Sequence, residues 1–139
     1  MKKLLILLFG VGFCLVGCNQ EQNKMQEVMA QNENIEVSPI IVYERLNEDF
    51  ITLKEVIKPS DIKRAINIIE NADWEENIKV EMDYPPNYRL KLGTITYGVW
   101  VTPNSDHLEI VPEGQSKYVK ISDEESNILY EMITGNKLD

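Results

Sequence analysis

The first 18 residues of the chain limit what the rest of it can fold into. Two lysines follow Met1, and residues 4–16 then form an apolar run of 13 residues. A membrane-spanning helix needs about 20 such residues, so this run is too short to cross a bilayer. A basic start, a short apolar run and a small residue at the cleavage point are typical of a secretory signal peptide. We therefore predict that residues 1–17 are a signal peptide that is removed.

The signal ends in Leu15-Val16-Gly17-Cys18, which looks like a bacterial lipobox. At such a motif a diacylglyceryl group is added to the cysteine thiol, and the chain is cut before that cysteine. Two acyl chains, each contributing about 0.8 kcal/mol per buried CH₂, give a stable membrane anchor. An ordinary secretory signal with an incidental cysteine is the alternative. We predict lipidation at Cys18 and a lipid-anchored location on the extracytoplasmic face of the cell membrane.

Both cysteines of the chain are accounted for by this prediction. Cys14 leaves with the signal peptide and Cys18 carries lipid, so neither is free to form a disulfide. An exported domain without disulfides must be stabilised by its hydrophobic core alone.

The charge of the mature chain excludes some classes of partner. Removal of residues 1–17 takes away two of the 14 basic residues and none of the 23 acidic ones, which changes the net charge from −9 to −11. A nucleic-acid-binding protein needs a basic face, so no nucleic-acid partner is expected. Anionic headgroups would not attract this chain either, so its membrane contact depends on the lipid at Cys18.

Composition separates a tether from a domain. Residues 19–36 are rich in Asn, Gln and Glu, and such a segment has too little apolar surface to offset its ordering entropy. We predict that residues 18–37, with the lipidated cysteine, form a polar flexible tether. Residues 38–139 then form a single globular domain, long enough for one modest core.

Periodicity and turn residues predict the elements of this domain. Two β-prone runs cover residues 40–43 and 50–56. A helix follows, with Ser60 as N-cap, an apolar stripe of Ile62, Ala65, Ile66 and Ile69, and an end near Asn71.

Strands are predicted at 107–111 and 117–121, on either side of a type I turn at 112–114. A final helix starts at a capping box of Ser122 and Glu125, carries an apolar stripe, and ends at Gly135. The stripe consists of Ile128, Leu129, Met132 and Ile133.

Residues 88–101 predict a β-hairpin with a definite register. A two-residue turn at Gly93-Thr94 places Leu92 opposite Ile95, Leu90 opposite Tyr97 and Tyr88 opposite Val99. These six residues share one apolar face, and a one-residue slip would spoil the pattern. Together the elements predict an α+β domain, in which a small antiparallel meander sheet has two helices packed on one face.

Three segments carry a family resemblance. They are Pro86-Asn87-Tyr88, Tyr97-Gly98-Val99-Trp100, and residues 117–122 with the sequence KYVKIS. In these segments the chain resembles the YhfM-like lipoproteins of Bacillus-type bacteria, over about its last 80 residues and with the lipobox in addition. The resemblance implies a lipid-anchored extracytoplasmic domain. It supplies no catalytic residues to carry over.

Candidate catalytic and metal-binding residues are few. His107 is the only histidine, its neighbour Asp106 is expected to point to the other face of a strand, and no Gly-x-Ser-x-Gly elbow exists. Zinc lacks a second His and a free Cys as ligands. Acidic residues in the 73–83 loop could act as the paired carboxylates of a wall hydrolase or hold calcium through their oxygens. They are Asp73, Glu75, Glu76, Glu81 and Asp83. We predict no catalytic site, no metal and no cofactor.

Trp100 is the centre of a predicted binding face. It lies on the hairpin face opposite the apolar set, together with Arg89 and Lys91, and near Tyr84. Either another part of the chain covers Trp100 as ordinary packing, or Trp100 is exposed and contacts a partner or stacks on a sugar. Trp74 is expected to cap the core beside the first helix.

These features predict a non-catalytic binding or accessory module at the outer face of the cytoplasmic membrane. Its partner would be an envelope protein or a wall polymer. The alternative is a cell-wall-active hydrolase that uses the acidic residues of the 73–83 loop.

Overall fold

Strand pairing and the direction of the side chains define a sheet with two different faces. The computed structural model describes residues 37–138, so the predicted signal peptide, Cys18 and the tether up to Glu36 lie outside the described residues. Within residues 37–138 there are seven strands and two helices. The strands are β1 (Ile40–Leu46), β2 (Asp49–Val56), β3 (Glu75–Glu76), β4 (Tyr88–Leu92), β5 (Ile95–Val101), β6 (Leu108–Pro112) and β7 (Lys117–Lys120). The helices are α1 (Pro59–Glu70) and α2 (Asp123–Thr134).

The strands form one sheet in the order β2-β1-β4-β5-β6-β7-β3, and every neighbouring pair is antiparallel. Strands β4 to β7 are neighbours in chain order, which is the predicted meander. The α+β class is therefore confirmed. Neither helix of the described part of the chain is long and apolar enough to span a membrane.

The hairpin of β4 and β5 has the predicted register. Leu92 pairs with Ile95, Leu90 with Tyr97, and Tyr88 with Val99. Gly93 has a φ of 58°, and this left-handed conformation at the first turn position is the one that glycine adopts without strain. Ile95, predicted to lie on the core face, is 36% exposed because it sits at the tip of the hairpin beyond the cover of the helices.

One face of the sheet, called the inner face below, carries the core. Its buried residues are Ile40, Val42, Leu90, Tyr97, Val99, Leu108, Ile110 and Val119, each no more than 9% exposed. Both helices pack against this face. Helix α1 adds Ile62 and Ile69 to the core, and α2 adds Leu129 and Ile133. The two helices therefore cover the same face of the sheet.

Helix α1 departs from its prediction at its start and in its buried stripe. The N-cap is Lys58, Pro59 occupies the first turn, and no side chain caps the helix. The prediction of Ser60 as N-cap is wrong because proline, with its fixed φ and missing N–H, already fits the first helical position. Ile68 is buried and Ile66 only half-buried, so the stripe is rotated from the predicted one. The helix ends at Asn71 as predicted.

Helix α2 begins and ends as predicted. The Ser122 hydroxyl accepts a hydrogen bond from the Glu125 N–H, and the Glu125 carboxylate accepts one from the Ser122 N–H. Gly135 adopts the left-handed conformation with a φ of 82° and its N–H donates to the Glu131 carbonyl. Leu129 and Ile133 of the predicted stripe are fully buried, while Ile128 and Met132 are half-buried at its edges.

The two serines at the helix starts give a matched test of these caps. We expect Ser122→Ala to lower the free energy of unfolding by about 1 kcal/mol, because it removes the acceptor of the first turn. Ser60→Ala should change it by less than about 0.5 kcal/mol, because Ser60 caps nothing. Urea denaturation of both variants measures the difference. Equal losses in the two variants would contradict the cap assignment.

Candidate functional site

The chain between β3 and β4 crosses the outer face of the sheet. Strand β3 pairs with β7 at one edge, and β4 lies between β1 and β5, so residues 77–87 must pass over β7, β6 and β5. We call residues 77–87 the strap. Neither β3 nor this path was predicted, because a two-residue strand is paired only through the tertiary fold.

Four hydrogen bonds fasten the strap to the sheet. The indole Nε1 of Trp100 donates to the Tyr84 carbonyl over 2.7 Å. The N–H of Ile78 donates to the Ser116 carbonyl over 3.2 Å at the other end. Asn87 is held twice, since its Oδ1 accepts from the Val101 N–H and its carbonyl accepts from the Arg45 N–H. The strap is therefore fixed near both of its ends and at its middle.

Trp100 lies flat on the outer face because its neighbour on the strand has no side chain. A Cβ atom at Gly98 would be 2.8 Å from Cη2 and Cζ3 of the Trp100 ring, and 3.4 Å from Cγ of Pro86. Only glycine leaves room for this approach. The Trp100 ring is half-buried between Gly98 and the strap. Of the two predicted alternatives, cover by another part of the chain therefore applies to part of the ring, and the strap is the segment that covers it.

A groove of about 420 Å³ opens between the strap and the sheet. Its walls come from three parts of the chain, namely the strap, the outer face of β4 to β6, and the β6–β7 turn. The lining residues are Ile78, Lys79, Val80, Met82, Pro86, Arg89, Gly98, Trp100, Val111, Pro112, Glu113, Gly114, Gln115 and Ser116. Its size is within the range of small-molecule and peptide side-chain sites. The lining combines apolar side chains, such as Met82 and Trp100, with the charged side chains of Arg89 and Glu113 and the amide of Gln115.

Arg89 is held in place at one side of the groove. Its Nε lies 2.8 Å from Oε1 of Glu113, as an ion pair without hydrogen-bond geometry. Its guanidinium carbon lies 3.9 Å from the centre of the Phe50 ring, within cation–π distance. The Glu113 N–H donates to the Thr96 carbonyl, which fixes the turn that carries the carboxylate. Both charged side chains remain partly exposed and can contact a ligand.

The β6–β7 turn differs from its prediction. The Gln115 N–H bonds to the Pro112 carbonyl, and Gly114 at the third position has a φ of 75°. A positive φ at that position is the pattern of a type II turn, so the predicted type I turn is wrong.

The structure brings two of the four predicted binding residues together. Trp100 and Arg89 both line the groove. Tyr84 is 75% exposed and contributes only its backbone carbonyl to Trp100. Lys91 is exposed on β4 outside the groove lining. Sequence reasoning missed the strap residues Lys79 and Met82 and the turn residue Gln115, for which no local signal exists.

The acidic residues of the 73–83 loop are spread out. All five are exposed. Glu75 and Glu76 lie on β3 opposite Tyr118 and Lys117, and Glu81 forms an ion pair with Lys79. Among residues 37–138, no group of three or more His, Cys, Asp and Glu side chains is placed to hold a metal ion.

His107 and Asp106 form a small polar cluster with Thr102. Contrary to the expectation that these neighbours point apart, the His107 Nδ1 lies 3.0 Å from the Asp106 carboxylate, because β6 begins only at Leu108. The Thr102 hydroxyl donates to the same carboxylate over 2.8 Å. The contact with the His107 ring and the hydrogen bond from the Thr102 hydroxyl lower the pKa of Asp106 to about 2. The cluster closes the β5–β6 turn.

Trp74 has the position that was expected. Its indole Nε1 donates to the Ile69 carbonyl at the end of α1 over 2.8 Å, and its ring lies 6.5 Å from that of Tyr97. The ring therefore caps the core beside the first helix.

Comparison of the chain with protein-family models, curated proteins and solved structures gave no match.

Proposed function

We propose that the mature protein is a lipid-anchored, non-catalytic binding or accessory module on the outer face of the cytoplasmic membrane, of the YhfM-like kind. The groove between the strap and the outer face carries the binding part of the proposal. The lipobox that ends at Cys18 carries the anchor. An envelope protein or a wall polymer is the partner.

The shape and chemistry of the groove support a binding role. A large aromatic ring with a fixed orientation contributes contact area without losing much conformational freedom when a ligand binds. Trp100 is fixed by its hydrogen bond to Tyr84 and by its contact with Gly98. The Arg89–Glu113 pair and Gln115 at the rim offer donors and acceptors for an amide or a hydroxyl group of the ligand.

The anchor is tested by the two cysteines, since Cys14 is a matched control for Cys18. Cells that make the chain should incorporate a labelled fatty acid into it, and Cys18→Ser should abolish the label while Cys14→Ser retains it. Gel fluorography of the isolated protein measures the incorporation. Label that survives Cys18→Ser would contradict the anchor.

The groove is tested by filling it. We expect Gln115→Trp to reduce co-sedimentation with isolated walls or membranes about tenfold or more, because the new ring occupies the groove. Lys63→Trp places the same ring on the exposed side of α1, on the other side of the sheet, and should leave binding unchanged. The fraction that retains the protein distinguishes a wall polymer from a membrane protein. Equal binding by both variants would exclude the groove as the site.

A further inference from the structure

One edge of the sheet is left open by strand β2. Among the strands of residues 37–138, β2 is the last in the sheet order at that end, with β1 as its one neighbour. It is eight residues long, from Asp49 to Val56. The opposite edge is formed by β3, which has only two residues. An edge strand presents unpaired backbone N–H and C=O groups, and a strand of this length can pair with another.

Exposed apolar side chains are concentrated along this edge. Among the described residues, six large hydrophobic side chains are exposed, and four of them lie in residues 46–57. They are Leu46, Ile51, Leu53 and Ile57, with exposures of 56%, 45%, 39% and 73%. This concentration of exposed apolar side chains indicates a contact surface along the edge.

The edge has two of the features that limit strand pairing in natural sheets, namely charged side chains and a β-bulge. Leu53 and Lys54 together oppose Val42 of β1, so β2 contains a β-bulge there. The strand contains no proline, and its first four residues, Asp49 to Thr52, pair regularly with β1. A partner strand must therefore accommodate the bulge at one end of this regular stretch.

We propose that β2 pairs with β2 of a second copy of this chain, in antiparallel orientation about a two-fold axis at Ile51. In this register Ile51 faces its own counterpart and Phe50 faces Thr52. Asp49 faces the bulge at Leu53 and Lys54. The two bulges then lie at the two ends of the shared stretch, where they leave the pairing intact.

Charge complementarity favours this occupant. Asp49 of each copy lies opposite Lys54 of the other, so the two-fold axis generates two opposite-charge pairs. Asp49 and Lys54 both lie on the side of β2 that continues the inner face, since they pair with Leu46 and Val42 of β1. Cross-strand pairs of opposite charge stabilise antiparallel sheets, and like charges in the same positions destabilise them. The register also joins the exposed Ile51 side chains into one apolar contact.

The experiment uses disulfide formation in cells that make the full-length chain. Ile51→Cys places two thiols opposite each other, where facing Cβ atoms lie about 4.5–5.5 Å apart, close to disulfide geometry. Ile95→Cys is the matched control, because Ile95 is an exposed isoleucine of comparable exposure on a distant hairpin tip. After mild oxidation, we expect Ile51→Cys to give at least about fivefold more covalent dimer than Ile95→Cys.

A charge exchange tests the register on the Ile51→Cys background. Asp49→Lys should lower the yield of dimer about fivefold, because it places two lysines opposite each other. Adding Lys54→Asp should restore the yield. Dimer yields that are equal for Ile51→Cys and Ile95→Cys would overturn the proposal. Cross-linking of Ile51→Cys mainly to another protein would also overturn it, as would a yield that the charge exchange does not change.

Discussion

Trp100→Ala should lower the free energy of unfolding by about 2–4 kcal/mol and release the strap from the sheet. The variant removes a half-buried ring that covers Gly98, and it leaves the Tyr84 carbonyl without its donor. Because this contact holds the strap at Tyr84, its loss should increase the fraction of molecules in which the strap is detached from the sheet. Trypsin cleavage after Lys79, within the strap, should become at least about tenfold faster, as each 1.4 kcal/mol of lost local stability corresponds to a factor of ten.

Trp100→Phe is the control for this prediction. It keeps an aromatic ring over Gly98 but removes the indole N–H, so it should cost about 1 kcal/mol, the net contribution of one hydrogen bond. Urea denaturation and the rate of tryptic cleavage measure the two effects separately. A Trp100→Ala protein with wild-type stability and a wild-type cleavage rate would show that the ring does not hold the strap.

Leu90→Ala should have a similar or larger effect on stability, about 2–5 kcal/mol, through the core. Leu90 is fully buried in β4 and lies between Val42 of β1 and Tyr97 of β5. Its truncation leaves a cavity that the flanking strands cannot close, because both are held by ladder hydrogen bonds. A loss of this size is a large fraction of the 5–15 kcal/mol that typically separates folded and unfolded domains.

Ile95→Ala is the matched control on the same hairpin. Ile95 lies at the exposed tip, so its truncation should cost less than about 1 kcal/mol. Thermal and urea denaturation of both variants measure the difference. Equal losses of stability in the two variants would contradict the register, which places Leu90 in the core and Ile95 at the exposed tip.

Local signals in the sequence predicted the hairpin and the second helix correctly. The turn at Gly93 and the alternation of residues 88–99 determine the register without reference to the rest of the chain. The capping box at Ser122 and the glycine at 135 are likewise local. The N-cap of α1 was predicted wrongly because two local signals compete there. Ser60 is a favourable N-cap residue, but Pro59 fits the first helical position and makes Lys58 the N-cap.

The groove could not be predicted from the sequence for a physical reason. The strap exists because β3 pairs with β7 and not with β2 or β4, the strands next to it in the sequence. This pairing depends on the arrangement of all the strands in the sheet and not on the residues near β3. The sequence indicated that Trp100 lies on the outer face and needs either a cover or a partner. The Cβ clash at Gly98 and the bond to Tyr84 show how the chain itself covers part of the ring. Residues such as Lys79 and Gln115 join the groove only through this path.

Photo-cross-linking in living cells tests the proposed binding role most directly. A photoreactive residue at position 115, at the rim of the groove, is compared with the same residue at position 63 on the exposed side of α1. Adducts are then identified by mass spectrometry. The account predicts one dominant adduct that is specific to position 115 and absent at position 63. No adduct at position 115, or the same adducts at both positions, would contradict a partner-binding groove.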